Sequence, residues 1–148
     1  MKFIVIVLSL FIIFSCNKID NNKLINKKNG VKNLKKYSGK ALKQTKFNIA
    51  MKELGKNQAV MFEVGSDSCK SCKQMALMLQ QIKEDYPKFK TYFIDIGKER
   101  NASKELNVRL IPTQIFYDKD GNEIFRHVGK FKNKELLIKK LKSLGFKL

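Results

Sequence analysis

A short run of mostly apolar residues, AVMFEVG at positions 59–65, constrains the fold of this chain more than any other feature. Residues typical of turns bound the run, which is the pattern of a strand buried in the centre of a sheet. Such a strand needs a layer of helices on each face of its sheet. The run therefore predicts a fold that combines helices with a buried sheet.

Apolar spacing along residues 46–148 supports this prediction. Helical spacing recurs over residues 47–54, 69–86, 102–108 and 136–144, and strands are predicted at residues 59–65, 90–96, 113–117 and 123–129. The sequence DKDGNE, which contains Asp120 and Gly121, predicts a hairpin turn between the last two strands. The order α-β-α-β-α-β-β-α predicts an α/β fold, with a central mixed sheet and helices on both faces.

The amino terminus has the pattern of a secretion signal. Lys2 precedes an apolar run at residues 3–14, which is shorter than the roughly 20 residues that a membrane-spanning helix needs. The sequence IIFSC that ends this run resembles the lipobox of bacterial lipoproteins, in which the cysteine is acylated and becomes the mature amino terminus. We therefore predict a signal peptide at residues 1–15 and lipidation of Cys16. The alternative is an ordinary signal peptide followed by an incidental cysteine.

Residues 16–45 are rich in Lys and Asn and contain few apolar side chains, which predicts a tether between a lipid anchor and a domain at residues 46–148. The chain has 31 Lys and Arg against 13 Asp and Glu, a net charge of +18. The tether has almost no aromatic side chains for base stacking, so nucleic acid is not expected as a partner. Contact with anionic headgroups is more plausible for an exported, anchored protein.

Two cysteines, Cys69 and Cys72, follow the predicted central strand in the sequence GSDSCKSCKQM. Ser66, Asp67 or Ser68 is expected to cap a helix that begins near Cys69. Both thiols then lie on one face of the first turn, with Cα atoms about 5.5 Å apart, which suits a disulfide. The helix dipole favours the thiolate of Cys69, whereas Cys72 is expected to point inward and to stay protonated.

A metal site is the weaker interpretation of the two cysteines. A structural zinc ion needs about four ligands, and His127 is the one imidazole that the sequence offers beside the two thiols. We expect His127 to be a surface or strand-pairing residue, and we predict no metal site. A single CxxC motif in an exported protein also differs from the several cysteines of a disulfide-stapled small domain.

Two further residues favour redox chemistry. Pro112 stands directly before a predicted strand, and a cis Ile111–Pro112 bond there would leave neighbouring backbone for pairing with a substrate. Glu63 interrupts the predicted central strand, six residues before Cys69. A buried carboxyl near Cys72 would have a raised pKa and could take and return its proton. The alternative is that Glu63 reaches solvent at the edge of the strand.

Together these features resemble the thioredoxin family. The resemblance covers residues 47–146 and rests on a CxxC motif after a buried strand, on Ile-Pro-Thr before a later strand, on the hairpin FYDKDGNEIFRHVG and on the final helix. It implies a thioredoxin-like fold, with Cys69 as the attacking thiol and Cys72 as the resolving thiol. It also implies a redox-active Cys69–Cys72 disulfide, with no other cofactor.

The resemblance assigns roles to four further positions. It implies that Pro112 is a cis-proline, that Ile111 and Thr113 beside it bind substrate, and that Glu63 takes the place of the family's buried acid. Departures from the family pattern affect the redox potential and the partner surface. They are Glu in place of the common Asp, Lys70-Ser71 in place of Gly-Pro inside the motif, and Ser68 in place of the tryptophan before the first cysteine.

The function predicted from these features is thiol–disulfide exchange outside the cytoplasm, in a bacterial cell envelope. The motif CKSCKQM is similar to that of domains served by membrane electron carriers, which implies a membrane electron-donor protein and protein disulfides as substrates. Ile111 before the proline is typical of reducing thioredoxins, and a monomer is expected. Two other functions remain open: a surface lipoprotein that binds polyanions through a thioredoxin-like fold, and a Cu(I)-handling protein that uses Cys69 and Cys72.

Overall fold

A computed structural model describes residues 37–148, and its elements follow the predicted order. The helices are α1 (Phe47–Met51), α2 (Lys70–Asp85), α3 (Arg100–Glu105) and α4 (Lys134–Ser143). The strands are β1 (Val60–Gly65), β2 (Thr91–Asp95), β3 (Thr113–Tyr117) and β4 (Glu123–Val128). The predicted signal peptide, the lipidated Cys16 and most of the predicted tether lie outside the described residues. Within residues 37–148, no helix has the length and apolar character needed to cross a membrane.

The strands form one mixed sheet in the order β2-β1-β3-β4. Strand β1 is parallel to β2 and antiparallel to β3, and β3 is antiparallel to β4. Strand β1 is therefore central, and all six of its residues are buried. These observations confirm the predicted fold class, a central mixed sheet in an α/β fold.

Alternate residues of the central strand enter different hydrophobic cores on the two faces of the sheet. Met61 packs in a core with buried side chains of α2 and α4, namely Met75, Leu79, Leu137 and Leu141. Phe62 and Val64 pack on the other face, with buried side chains that include Phe47, Ala50 and Ala102. Because successive side chains of a strand point to opposite faces, both faces of β1 have to be covered by helices.

The predicted boundary between tether and domain at residue 46 lies too far along the chain. Leu42 is buried, and its amide donates to the carbonyl of Ala76 at 3.0 Å. Gln44 forms a parallel bridge with Phe93, whose carbonyl accepts from the amide of Thr45 at 2.7 Å. One buried apolar side chain and a few backbone hydrogen bonds hold residues 42–45 at the edge of β2. Because the segment is otherwise polar, its composition did not predict this contact.

Two helices also differ in extent from the prediction. Helix α1 ends at Met51, and turns rather than helix carry the chain on toward Gly55. Helix α3 begins at Arg100 and ends at Glu105, whereas the apolar spacing had predicted residues 102–108. Val108 is buried although it lies beyond the helix, because its amide bonds to the carbonyl of Ser103 and folds the chain back against the core.

Candidate active site at the start of helix α2

Cys69 is itself the cap of helix α2. Its backbone is extended (φ −87°, ψ 119°), and its Sγ accepts a hydrogen bond from the amide of Cys72 at 3.2 Å. The prediction that Ser66, Asp67 or Ser68 caps this helix is therefore wrong. The cap places the partly exposed sulfur of Cys69 at the positive end of a helix of 16 residues.

Cys72 lies in the first turn of α2 and is completely buried. It forms a disulfide with Cys69, and the two Cα atoms are 5.2 Å apart, close to the separation expected from the spacing. The hydroxyl of Ser71 lies 3.2 Å from the Cys69 sulfur. The disulfide therefore joins a partly exposed cysteine to one that lies inside the protein.

The loop that precedes Cys69 is fixed by a buried carboxylate. Asp95, at the end of β2, accepts hydrogen bonds from the amides of Asp67 (3.2 Å) and Gly97 (2.8 Å). Lys98 then donates to the carboxylate of Asp67 at 2.5 Å, and this pairing holds the pKa of Asp67 below its usual range. The negative charge nearest to the motif is thus paired, while Lys70 and Lys73 are exposed beside it.

The Ile111–Pro112 peptide bond is cis, and Pro112 is buried. Thr113 lies directly opposite Val64 in the β1–β3 ladder, so the proline stands at the end of the sheet where β1 leads into the CxxC loop. The hydroxyl of Thr113 donates to the carbonyl of Leu110 at 2.6 Å. The topology therefore brings the predicted proline segment to the same sheet end as the cysteines.

Backbone and side chains around the proline are open to a partner. The carbonyl of Pro112 accepts from the amide of Gly129 at 2.7 Å, but the backbone of Ile111 makes no hydrogen bond within residues 37–148. Leu110 and Val128 expose 67% and 54% of their surface beside this segment. The sequence did not indicate either side chain as part of the site, because nothing in an apolar residue's identity shows that it remains exposed.

Glu63 is completely buried in the middle of β1, so the interpretation that it reaches solvent at a strand edge is wrong. It pairs in register with Gln114 of β3, whose Nε2 donates to Oε2 of Glu63 at 2.8 Å. Oε1 of Glu63 has no hydrogen-bond partner within residues 37–148. Burial raises the pKa of Glu63 well above its usual value near 4.5, and the hydrogen bond from Gln114 opposes that rise.

Gly65 allows Cys72 to approach the sheet on the face that carries Glu63. A Cβ atom added at Gly65 would lie 3.0 Å from Cβ and 3.1 Å from Sγ of Cys72. Residues 63 and 65 share a face of β1 and are about 7 Å apart along the strand. Glu63 and Cys72 therefore lie on the same side of the central strand.

Gly65 and Gln114 are parts of the site that were not predicted from the sequence. Gln114 had a usable signal, because a long polar side chain stands two residues after the predicted proline, in a strand whose next three residues are apolar or aromatic. The matching signal in β1 was Glu63, but pairing the two required the strand register, which the sequence does not show. Gly65 is the last residue of the predicted strand, and the sequence does not indicate which side chain packs against it.

His127 behaves as the strand-pairing residue that was expected. It lies in β4 opposite Gln114, and its ring packs against Phe131 with centroids 4.1 Å apart. Burial and the nearby charge of Lys140 lower the pKa of His127. In the part of the chain that the structure describes, no three His, Cys, Asp or Glu side chains form a group that could hold a metal ion.

A model of the thioredoxin-like domain family matches residues 44–144, which is more than half of the chain. The chain belongs to the thioredoxin-like domain family. The match includes the CxxC motif, the cis-proline segment and all four strands. Together with the Cys69–Cys72 pair, it identifies the protein as a thiol–disulfide oxidoreductase.

Individual relatives agree with this assignment. The chain is 27% identical to Thioredoxin Asp f 28 of Aspergillus fumigatus over 95 residues, which cover 63% of the chain and 87% of that protein. It is 34% identical to Thioredoxin-2 of Saccharomyces cerevisiae over 61 residues, which cover 41% of the chain and 58% of that protein.

The fold is also similar to solved structures. The oxidised form of mitochondrial thioredoxin 3 from Saccharomyces cerevisiae superposes with a TM-score of 0.57 at 24% identity, covering 70% of this chain and 94% of that one. A second structure, from work on thiol resolution in a yeast mitochondrial 1-Cys peroxiredoxin, gives a TM-score of 0.58 at 22% identity and covers 73% and 99% of the two chains. These two likenesses concern the fold alone.

Proposed function

We propose that this oxidoreductase is lipid-anchored in a bacterial cell envelope, where it reduces disulfides of other proteins. The observation that best supports the exchange chemistry is the unequal exposure of the two sulfurs. Cys69 is partly exposed at a helix terminus, whereas Cys72 is buried one turn further on. That difference suits one thiol that meets substrates and a second that reacts only within the protein.

In the proposed reaction, the Cys69 thiolate attacks a substrate disulfide. A bond forms between Cys69 Sγ and one substrate sulfur, the substrate disulfide breaks, and the second substrate sulfur leaves as a thiolate that takes a proton from water. Cys72 then loses its proton and attacks Cys69 Sγ, which releases the first substrate sulfur and closes the Cys69–Cys72 disulfide. Two electrons have passed from the protein to its substrate.

The proton of Cys72 goes to Glu63 in this proposal. Cys72 is completely buried, so an acceptor inside the protein assists its ionisation. Glu63 lies on the same face of β1, and its Oε1 has no hydrogen-bond partner within residues 37–148. Its raised pKa brings it closer to the pKa of a thiol, which favours transfer in both directions.

The substrate is a protein segment that lies along the cis-proline loop. The backbone of Ile111 makes no hydrogen bond within residues 37–148, so it is available to pair with an extended substrate strand. Thr113 holds the loop by its hydrogen bond to the carbonyl of Leu110. The exposed side chains of Leu110 and Val128 favour a substrate with apolar residues next to its cysteine.

Location and electron supply rest on the sequence. A signal peptide at residues 1–15, lipidation of Cys16 and a basic tether would hold the domain at a membrane surface. Each cycle as a reductase consumes two electrons, so a dithiol donor must reopen the Cys69–Cys72 disulfide. A membrane electron-donor protein is the proposed source.

Cys16→Ala should release the mature protein from the membrane fraction, and unchanged partitioning would contradict the anchor.

The reduction potential of the Cys69–Cys72 pair tests the proposed direction. A value near that of thioredoxin, about −270 mV, would support a reductant, whereas a value near about −120 mV would identify an oxidant. Turnover of a protein disulfide should require both cysteines. A folded protein that turns over no disulfide, but binds polyanions with both cysteines replaced by serine, would instead favour the binding lipoprotein.

A further inference from the structure

Gln114 and Glu63 form an isolated polar pair inside an apolar sheet. Both side chains are fully buried, and the 2.8 Å bond from Nε2 of Gln114 to Oε2 of Glu63 is the one hydrogen bond that either side chain makes within residues 37–148. Oε1 of each residue has no partner there. Buried polar groups usually have hydrogen-bond partners. Two neighbouring buried oxygens without partners in a native core therefore call for a functional explanation.

Among the described residues, no charged side chain stabilises the buried carboxyl group of Glu63. Cys72 of α2 lies on the same face of the sheet as Glu63. The carboxylate of Asp95 in β2 accepts hydrogen bonds from the amides of Asp67 and Gly97. On the far side of Gln114, His127 of β4 packs against Phe131. Lys140 of α4 lies over the ring of Phe125, 4.2 Å from its centroid. Among the described residues, only Gln114 donates a hydrogen bond to the Glu63 carboxyl group.

We propose that Gln114 is a positioning residue for the proton transfer of the resolving step: its amide holds one oxygen of Glu63 and leaves the other to exchange a proton with Cys72. This inference rests on the proton role proposed for Glu63. It assigns separate tasks to the two carboxyl oxygens, since Oε2 is anchored across the β1–β3 ladder and Oε1 is unoccupied within the described residues.

The pair can serve both protonation states of Glu63. When Glu63 is ionised, the amide N–H of Gln114 supplies its single hydrogen bond, and bonds to charged groups are stronger than neutral ones. When Glu63 has taken the proton on Oε1, that O–H can donate to the free Oε1 of Gln114. Removing the amide therefore costs the ionised form more, so it should raise the pKa of Glu63 further and leave less Glu63 ionised and able to accept a proton at neutral pH.

The test is single-turnover resolution of a mixed disulfide on Cys69, followed as a function of pH. Gln114→Met removes the amide and keeps an unbranched side chain of similar length. We expect resolution about tenfold slower at pH 7, with the acidic limb of the pH profile moved up by about one unit. The first attack by Cys69 should be unchanged.

Gln80→Met is the matched control. Gln80 also donates to a glutamate, Oε1 of Glu84 at 3.1 Å, but on the partly exposed surface of α2. The control loses the same kind of hydrogen bond and should resolve at the wild-type rate across the pH range. A shifted pH profile in the control would show that the readout reports the general loss of an amide, and would overturn the assignment to Gln114.

Repeating the measurement on protein that already carries Glu63→Leu separates the possible outcomes. If Gln114 acts through Glu63, Gln114→Met should cause no further slowing once Glu63 is gone. Equal slowing in both backgrounds would mean a merely structural effect and would overturn the inference. A wild-type resolving rate in Glu63→Leu itself would overturn the proton role of Glu63, and this inference with it.

One pattern overturns the inference and spares the proposed function. In that pattern Glu63→Leu is slow but Gln114→Met keeps the wild-type profile. Should Gln114→Met not fold, Gln114→Asn replaces it, because it withdraws the amide by one methylene. A smaller slowing in the same direction is then expected, and a wild-type rate from this folded variant would contradict the role of Gln114.

Discussion

The two sulfurs of one disulfide lie in opposite environments. Around Cys69 the protein is exposed, charged and rich in short-range polar contacts, with Asp67 paired to Lys98 and a helix terminus at the sulfur. Cys72 itself is completely buried, and the buried pair of Glu63 and Gln114 lies on the same side of the central strand. A single covalent bond thus spans the boundary between surface and core.

The difference leads us to expect that the two steps of the proposed exchange depend on different physical effects. At Cys69, solvent screens charges, so single ionic contacts have small effects and access decides reactivity. At Cys72, low polarity makes every unpaired polar group costly, so a proton must have a prepared acceptor. Substitutions on the buried side should therefore have larger consequences than equivalent substitutions on the exposed side.

The cysteines themselves should give the largest effect and the clearest contrast. Cys72→Ser leaves Cys69 able to attack but removes the thiol that resolves, so mixed disulfides with substrates should accumulate. Cys69→Ser should trap nothing, because Cys72 is buried. Non-reducing gels of envelope extracts compare the two variants, and equal trapping by both would erase the distinction between the sulfurs.

Gly65→Ala tests how closely the buried sulfur is packed. The new Cβ would lie 3.0 Å from Cβ of Cys72 and 3.0 Å from Cε2 of Phe93, so one of these side chains must move. Overpacking of this kind costs about 1–3 kcal/mol of unfolding free energy. Chemical denaturation of the oxidised protein measures it, and a wild-type midpoint would mean that the contact around Cys72 is loose.

The polar pair on the buried side predicts a non-additive pattern of stability. Glu63→Leu alone leaves the amide of Gln114 without its partner, which costs about 1–3 kcal/mol and offsets the gain from removing a buried carboxyl. Replacing both residues, as in Glu63→Leu with Gln114→Met, removes both orphaned groups, so the double variant should be more stable than either single variant. Denaturant midpoints of the four proteins test this, and simple additivity would contradict the pairing.

Glu63 also predicts how stability depends on pH. Its pKa in the folded protein is raised above the value near 4.5 that applies to the unfolded chain. Between those two values Glu63 holds a proton in the folded state that it loses in the unfolded state, so the contribution of its protonation to stability is fully present below pH 4.5 and is lost as pH rises through this window. Glu63→Leu should lack this fall. Parallel stability curves for the two proteins would show that folding does not raise the pKa of Glu63.

The sequence and the structure agree best where a residue's role depends on its neighbours in the chain. The central strand, the inward position of Cys72 and the proline before β3 were all predicted, because burial patterns and short spacings are local signals. Contacts that depend on register were not predicted. The pairing of Glu63 with Gln114 joins residues 51 positions apart, and no local pattern indicates which two strands lie side by side.

The prediction of which residue caps α2 was wrong for a different reason. Three residues with good capping side chains precede Cys69, and propensity alone favours any of them over a cysteine. The disulfide with Cys72 and the turn closed by the Ser66 carbonyl hold the Cys69 sulfur at the cap position instead. A covalent constraint in the tertiary structure therefore overrode a local preference.

A substitution on the exposed side, near Cys69, should have the smallest effect. Lys98→Ala removes the partner of Asp67, so an unpaired negative charge remains near the start of α2 and disfavours the Cys69 thiolate. Because both side chains are more than half exposed, water and salt screen the change, and alkylation of Cys69 at neutral pH should slow by about twofold or less. Iodoacetamide labelling of the reduced protein at low and high salt measures this, and the difference should vanish at high salt. A tenfold effect that persists at high salt would mean that the surface around Cys69 is electrostatically as sensitive as the core around Cys72.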